Sequence, residues 1–383
     1  MSARRKTRTL AVVSAAVAGL AAVLSGCVGA GTAGGSDALR VTGTDDACRS
    51  STGSVDAGVR TVTFHNTGGQ ESEIYVLRPD GSAVGERENV GPGLTVQLTV
   101  ELAPGAYTLR CRPGMVGKGH VAPLTVTGVA ASASASRDPR VDAALAAYRS
   151  YVEEQAQRSL DGAKELAAAV TAGDLARART AYPASRVGWE RVEPVAESFG
   201  DLDPKIDLRE ADLESGRTWT GWHVLEKGIF QAGSTQGLAP VADRLVADLV
   251  DLRSRVRTVE ITGTGMANGA VELLDEVSKS KITGEEEAFS HTDLVDVQAN
   301  VAGARQVVEL LRPVLGTKDA ALLTELDTRF TALQKVLDGH RTGPADDGFV
   351  PYTQVTPDQR RALSASVDAV AEPISRLAGA VAA

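Results

Sequence analysis

His223 and Glu226 are the two residues of this chain whose types and spacing most directly suggest metal chemistry. They lie three residues apart within residues 219–230, a segment that contains two of the three tryptophans. On a helix, this spacing places an imidazole and a carboxylate on one face, where both could bind the same ion. The common zinc-protease motifs need a second histidine here, and Lys227 stands in its place. Two ligands are too few for a stable site. Either further ligands come from elsewhere, or the pair is an ordinary ion pair on an amphipathic helix.

Three groups of acidic residues could supply those ligands. Glu190 and Glu193 are also three apart, and Pro194 predicts that a helix ends beside them with both carboxylates exposed. Residues 200–212 form an acid-rich loop that lacks the spacing of a calcium-binding EF-hand loop. Residues 283–293 are predicted to form a helix after Gly284 that carries Glu286 on one face. For any single acid, the alternative is a solvated surface position.

The N-terminus has the pattern of an export signal. Residues 1–26 combine a basic start with a short apolar stretch, and Cys27 follows in the context expected for bacterial lipoprotein processing. An ordinary secretory signal is the alternative. Removing four basic and no acidic residues lowers the formal charge from −9 to −13. An acidic mature chain argues against nucleic acid and favours cationic ligands. Residues 27–37 are rich in small residues and are predicted to be a tether.

Residues 38–128 are predicted to form a β-sandwich. Alternating apolar and polar residues indicate strands at 58–66, 73–77, 94–100, 107–111 and 121–126, with turn residues between them.

The run 107–115, with a cysteine before a methionine, resembles the end of a cupredoxin. Two hypotheses follow for this domain. One is a disulfide between Cys48 and Cys111, which suits an exported protein. The other is a soft metal site, suited to copper, with Cys48, Glu73, Cys111 and Met115 as its ligands. A blue-copper centre would also need two histidines, and His120 follows Met115 in the wrong order.

Residues 138–383 are predicted to form an all-α bundle. After a low-complexity linker at 129–137, apolar residues recur at three- and four-residue intervals, with glycine-rich breaks at 262–265 and 339–348. The expected fold is therefore a β-sandwich followed by a helical bundle.

Four separated segments carry a family resemblance: residues 190–199, 201–207, 221–227 and 283–294. Together they resemble the imelysin-like peptidase family, and specifically its members that follow a cupredoxin-like domain and bind iron outside the cell membrane. The resemblance implies an iron site in the helical domain formed by Glu190, Glu193, Asp207, His223, Glu226 and one acid of residues 285–287, with Glu286 as the first choice. It also implies a soft-metal site in the β domain with Cys48, Glu73 and Cys111. The partners it implies are an iron permease and a haem peroxidase, at the outer face of the cytoplasmic membrane where lipidated Cys27 would anchor the chain.

The chemistry of these residues favours binding over catalysis. Oxygen ligands prefer hard cations such as ferric iron, although copper or zinc could also bind. We find no general base beside an open metal position in the sequence, so the peptidase name brings no mechanism. We expect the clustered carboxylates to repel one another without metal. The alternatives are a zinc metallopeptidase that uses His223 and Glu226, and a metal-dependent binder of acidic polysaccharide.

Overall fold

The computed structural model describes residues 38–128, 138–199, 201–344 and 348–382. The predicted signal at 1–26, the tether at 27–37 with Cys27, and the linker at 129–137 lie outside these residues.

The N-terminal part is a sandwich of two β-sheets with the strand orders β2-β1-β4-β7 and β3-β9-β8-β5-β6. The strands are β1 Ala38–Thr44, β2 Ala47–Ser50, β3 Ser54–Asp56, β4 Gly58–Asn66, β5 Ser72–Leu77, β6 Ala83–Val90, β7 Thr95–Leu102, β8 Gly105–Pro113 and β9 His120–Thr127. Inward side chains of both sheets, such as Phe64, Ile74 and Leu98, are fully buried between them. The two inner faces therefore form one apolar core.

All five predicted strands are present, but the sequence analysis missed β1, β2, β3 and β6. Strand β6 contains Gly85, Glu86, Arg87 and Glu88, a polar run without clear alternation. It forms because it pairs with β5 on one side and packs against the helical domain on its face. Tertiary contacts thus override a weak local signal.

The C-terminal part is helical. Its helices are α1 Pro139–Thr171, α2 Leu175–Glu190, α3 Glu193–Glu197, α4 Asp203–Ile206, α5 Trp222–Glu226, α6 Ala239–Arg255, α7 Gly263–Lys279, α8 Asp293–Lys318, α9 Ala320–Asp338, α10 Pro357–Ile374 and α11 Leu377–Ala382. The predicted break at 262–265 is wrong, because Thr262 caps the start of α7 through a hydrogen bond from the Gly265 N–H. The expected order of a β-sandwich and a helical bundle is confirmed.

The long helices α1, α2, α6 and α8 surround one apolar core that contains Trp189 and Trp222. Gly303 lets α8 approach the end of α2 closely, since a Cβ atom there would lie 2.4 Å from the Arg191 carbonyl oxygen. This close approach places the first turns of α8 beside Glu190, where most of the candidate site lies.

Helix α7 joins the two domains by packing on β6 and β7. The Asn268 side chain donates to the Thr99 carbonyl at 2.9 Å, and the Ala83 N–H donates to the Ser198 carbonyl at 3.1 Å. Across the described ranges, no helix combines the length and apolar character needed to cross a membrane.

Candidate metal centre

A glycine sets the position of the H-x-x-E pair. Gly221 has φ +92°, and a Cβ atom at this position would lie 2.1 Å from the Ile206 carbonyl oxygen. Only glycine tolerates both conditions. The chain then enters the short helix α5 at Trp222, whose indole N–H donates to the Ser185 hydroxyl at 2.9 Å. The tight turn and this anchor place His223 and Glu226 inside the bundle.

His223 is buried and has one ring nitrogen aimed between two carboxylates. Its Nδ1 lies 2.9 Å from Glu226 Oε2. Its Nε2 lies 3.3 Å from Asp207 Oδ1 and 3.7 Å from Glu286 Oε1, but makes no hydrogen bond of ordinary geometry in the described structure. A histidine whose Nδ1 is held by a carboxylate presents Nε2 as a metal ligand. The geometry of Nε2 fits that role.

Asp207 and Glu286 complete a compact group with His223. One potential ligand atom from each of the three lies within 4.8 Å of the others, and all three residues are buried. Burial would raise the pKa of Asp207, but Arg186 and His223 outweigh it and hold that pKa well below its usual range. Burial would also raise the pKa of Glu286, but Lys281 and His223 outweigh it and lower that pKa to about 2. Both side chains are therefore anionic oxygen donors at neutral pH.

Glu226 is occupied by other contacts. Its Oε1 accepts the backbone N–H groups of Phe289 and Ser290 at 2.8 and 2.7 Å, while Oε2 faces His223. It thus fixes the loop that carries Glu286 and orients the imidazole. A second group of possible ligand atoms joins His223, Glu226 and Glu287, but Glu287 is committed to Arg186 at 2.8 Å and to the Ser290 hydroxyl at 2.6 Å. Arg186 also contacts Asp207 and Glu286, but we favour the Asp207, His223 and Glu286 group because the unpaired Nε2 of His223 faces it.

Arg186, which the sequence analysis did not identify, lies at the centre of the carboxylates. Its guanidinium group is completely buried and contacts the side chains of Glu190, Asp207, Glu286, Glu287 and Asp296. It also lies 5.4 Å from the centre of the Trp222 ring. An arginine at this position neutralises part of the negative charge permanently. The expected repulsion among unpaired carboxylates is therefore not what the structure shows.

Lys281 separates Glu190 and Glu193 from the histidine group. Its buried ammonium contacts Glu190, lies 3.1 Å from Glu193 Oε2 and lies 3.2 Å from Glu276 Oε1. Burial would lower the pKa of Lys281, but these carboxylates raise it well above its usual value. The interpretation that Pro194 exposes both acids is wrong, since Glu190 and Glu193 are buried beside the break between α2 and α3. The six predicted residues share one cluster that contains two cations of the protein, and Glu190 contacts both of them.

The sequence signal for the missed residues is weak but physical. Arg186 stands four residues before Glu190 on α2, and Asp296 and Asn300 are four apart on α8, so each pair shares a helix face. The predicted helix over residues 283–293 is wrong, because α8 begins only at Asp293 and residues 284–292 form turns and loop. The backbone N–H groups of this loop bind Glu226 instead of a helical carbonyl, which explains why the helical pattern fails there.

The β domain does not form the soft-metal site. Cys48 and Cys111 are joined in a disulfide, and sulfur atoms bonded to each other are not thiolate ligands. Glu73 is paired with Arg112, whose Nη1 lies 2.5 Å from its Oε1. Met115 belongs to the turn after β8 and has a positive φ of 56°. Of the two hypotheses for this domain, the structure contains the disulfide.

The fold is that of a two-domain protein, a cupredoxin-like β-sandwich followed by an imelysin-type bundle. The family model described as imelysin matches residues 144–377, and the model of the cupredoxin-like domain matches residues 12–122. This chain belongs to the imelysin family. A relative from Escherichia coli O157:H7, named iron uptake system component EfeO, is 37% identical over 346 residues that cover 89% of this chain and 90% of the relative. The proteins of that name from Escherichia coli K12 and Shigella flexneri are 36% identical with the same coverage. The resemblance to two-domain iron-uptake components is confirmed.

Proposed function

We propose that this protein binds iron outside the cytoplasmic membrane, in the site formed by Asp207, His223 and Glu286, and passes it to a membrane permease. The observation that carries the proposal is the orphaned Nε2 of His223, buried and aimed between two carboxylates. One imidazole and anionic oxygens form a ligand set suited to iron. The names of the relatives agree with iron as the cargo.

Burial favours binding over peptide cleavage. Asp207, His223 and Glu286 are at most 7% exposed, and Arg186 behind them is not exposed at all. A single ion can reach such a site through small side-chain movements, whereas a polypeptide backbone or a polysaccharide cannot. We therefore assign a binding role and no catalytic one.

The location outside the membrane has independent physical support. A disulfide between Cys48 and Cys111 persists in oxidising compartments and is rare in the bacterial cytoplasm. A lipid on Cys27 would anchor the chain to the outer face of the membrane, within reach of a permease. A haem peroxidase would be the companion enzyme that this chain itself does not provide.

The test is an iron titration of metal-free protein, with Fe²⁺ under argon and with ferric citrate in separate experiments. Trp222 packs beside Arg186, so quenching of tryptophan fluorescence reports occupancy. His223→Ala should weaken iron binding by on the order of a hundredfold or more, and Glu226→Gln by about ten- to a hundredfold because it orients the imidazole. His65→Ala in the β domain is the matched control. Unchanged iron affinity in His223→Ala would refute the site.

A further inference from the structure

A cavity of about 60 Å³ lies between the two domains, away from the His223 group. Strand β6 contributes residues 83–86 to its wall, and helix α7 contributes Asn268 and Glu272. Tyr148 of α1 and Val195 of α3 complete the helical side. Both domains must therefore be present for this cavity to exist.

Glu86 is an unsatisfied buried acid at this cavity. It is 3% exposed, and its Oε2 has no hydrogen-bond partner in the described part of the chain. Leaving a buried acceptor unpaired costs about 1–3 kcal/mol. Burial, followed by the neighbouring charges of Glu272 and Glu88, raises the pKa of Glu86 well above its ordinary value. A cation in the cavity would remove this penalty.

A polar stripe on α7 leads from the cavity toward the buried cluster. Asn268, Glu272 and Glu276 are spaced by four residues and share one face of the helix. Glu272 lines the interdomain cavity and also a second, small cavity of about 10 Å³, which Glu88 and Glu276 line with it. Glu276 in turn lies 3.2 Å from Lys281. Acidic side chains thus extend from the domain interface to the edge of the candidate metal centre.

The basic residues near this route are few. Arg78 at the cavity wall is paired with Glu260 at 3.4 Å. Burial raises the pKa of Glu272, and the positive charge of Arg87 on strand β6 opposes this effect. Among the described residues, neither group of closely spaced ligand atoms lies at this cavity. Its carboxylates therefore do not form a group of three ligands around a bare ion, and we expect them to hold an ion through its water shell.

We propose that the interdomain cavity is a second cation site, which binds hydrated iron through Glu86 and Glu272 and supplies the buried site around His223. The inference rests on the proposed function, because it takes the same ion as its ligand. It gives the β domain a role that does not require thiolate ligands. Because the ion keeps its water, binding is weak and exchange is fast, as a transit site requires.

The first test measures the rate of iron loading by stopped-flow tryptophan fluorescence, with the form of iron that loads the wild-type bundle in the titration above. The double variant Glu86→Gln, Glu272→Gln should load roughly tenfold or more slowly, the scale of electrostatic focusing, while its equilibrium affinity stays at the wild-type value. Glu260→Gln, which removes an exposed acid at the same cavity, should load at the wild-type rate. A wild-type loading rate in the double variant, or an equal loss of rate and affinity, would overturn the inference.

The second test detects the site directly with Mn²⁺, in protein whose buried site is disabled by His223→Ala. Electron paramagnetic resonance of free Mn²⁺ should show weak retention by this variant, and adding Glu86→Gln and Glu272→Gln should abolish it. Retention that is absent, or that survives the two substitutions, overturns the interdomain site. If His223→Ala leaves iron affinity unchanged, the proposed function itself fails, so the two failures are distinguishable.

Discussion

Replacing Lys281 with methionine is the sharpest test of how the buried carboxylates are stabilised. The ammonium group of Lys281 is completely buried and is held by Glu190, Glu193 and Glu276. Methionine keeps most of the length of the side chain and removes only its charge and its hydrogen bonds. Any effect of Lys281→Met therefore reports the cation and not the packing.

The structure sets the size of this effect. Removing one partner of a buried ion pair leaves an uncompensated charge and costs about 3–5 kcal/mol. In a helical domain of this size, that loss lowers the melting temperature by roughly 6–20 °C. Excess iron should reduce the difference in melting temperature between variant and wild type, because an ion could then bind the carboxylates that Lys281 no longer contacts.

The assay is thermal and urea unfolding of EDTA-treated protein, followed by circular dichroism at the helical band. Lys335→Met, at an exposed position on α9, is the matched control and should change stability by less than about 0.5 kcal/mol. If metal-free Lys281→Met unfolds within about 1 kcal/mol of wild type, the carboxylates around Lys281 are not held as ion pairs. The interpretation of Lys281 as an internal counter-ion would then be wrong.

Further predictions follow from other parts of the structure. Gly221→Ala should destabilise the protein by about 1–3 kcal/mol and weaken iron binding, because the turn before α5 must shift; wild-type urea unfolding and iron titration would contradict this. Glu193→Gln should lower the metal-free stability by about 1–3 kcal/mol through the loss of its charge beside Lys281, and a more stable variant in urea unfolding would show that repulsion dominates there. Replacing Cys48 and Cys111 together with alanine should cost about 4 kcal/mol on the loop-entropy model, given their sequence separation of 63; calorimetry checks this, and an unchanged β-domain transition would speak against the disulfide. Burial, and after it the charge of Glu73, raises the pKa of Glu88 to about 8 from an ordinary 4.5. The stabilisation that this shift provides is therefore complete below pH 4.5 and is lost as the pH rises to 8. The free energy of unfolding falls by at most about 1.4 kcal/mol per pH unit over this range. Glu88→Gln should flatten this decline in pH-dependent urea unfolding, and an equally steep decline would refute the assignment.

The sequence predicts the order of the two domains well because both rest on strong periodic signals. Strand β4 alternates between buried and partly buried side chains from Val62 to Asn66, and the buried residues of α1 recur at helical spacing. The sequence analysis fails at β6, which pairs with β5, and at the start of α7; these two elements pack against each other across the domain boundary. Local pattern is informative where an element buries its own apolar face, and uninformative where a polar element is held by its neighbours.

The residues of the candidate site could be predicted from the sequence, but not how they pair with Arg186 and Lys281. All five predicted acids and His223 lie in or beside the buried cluster, since clustered polar residues within an apolar bundle have few other places to go. Which carboxylate faces His223 depends on Arg186 and Lys281, and nothing in the spacing of the acids reveals those cations. Lys281 in particular comes from the segment after α7, far along the chain from Glu190 and Glu193.

The charges of Arg186 and Lys281 would allow the proposed iron site to exist with and without its ion. If iron alone neutralised the carboxylates, releasing it would leave mutual repulsion in a buried space, and the bound state would be a trap. Arg186 and Lys281 instead stabilise the metal-free bundle, so the ion competes mainly with the proton of His223. Burial would lower the pKa of His223, but Asp207, Glu226 and Glu286 raise it well above its ordinary value, which makes that proton a strong competitor. Under the proposed function, the affinity for iron is then the difference in free energy between two stabilised states, which would permit both capture and release.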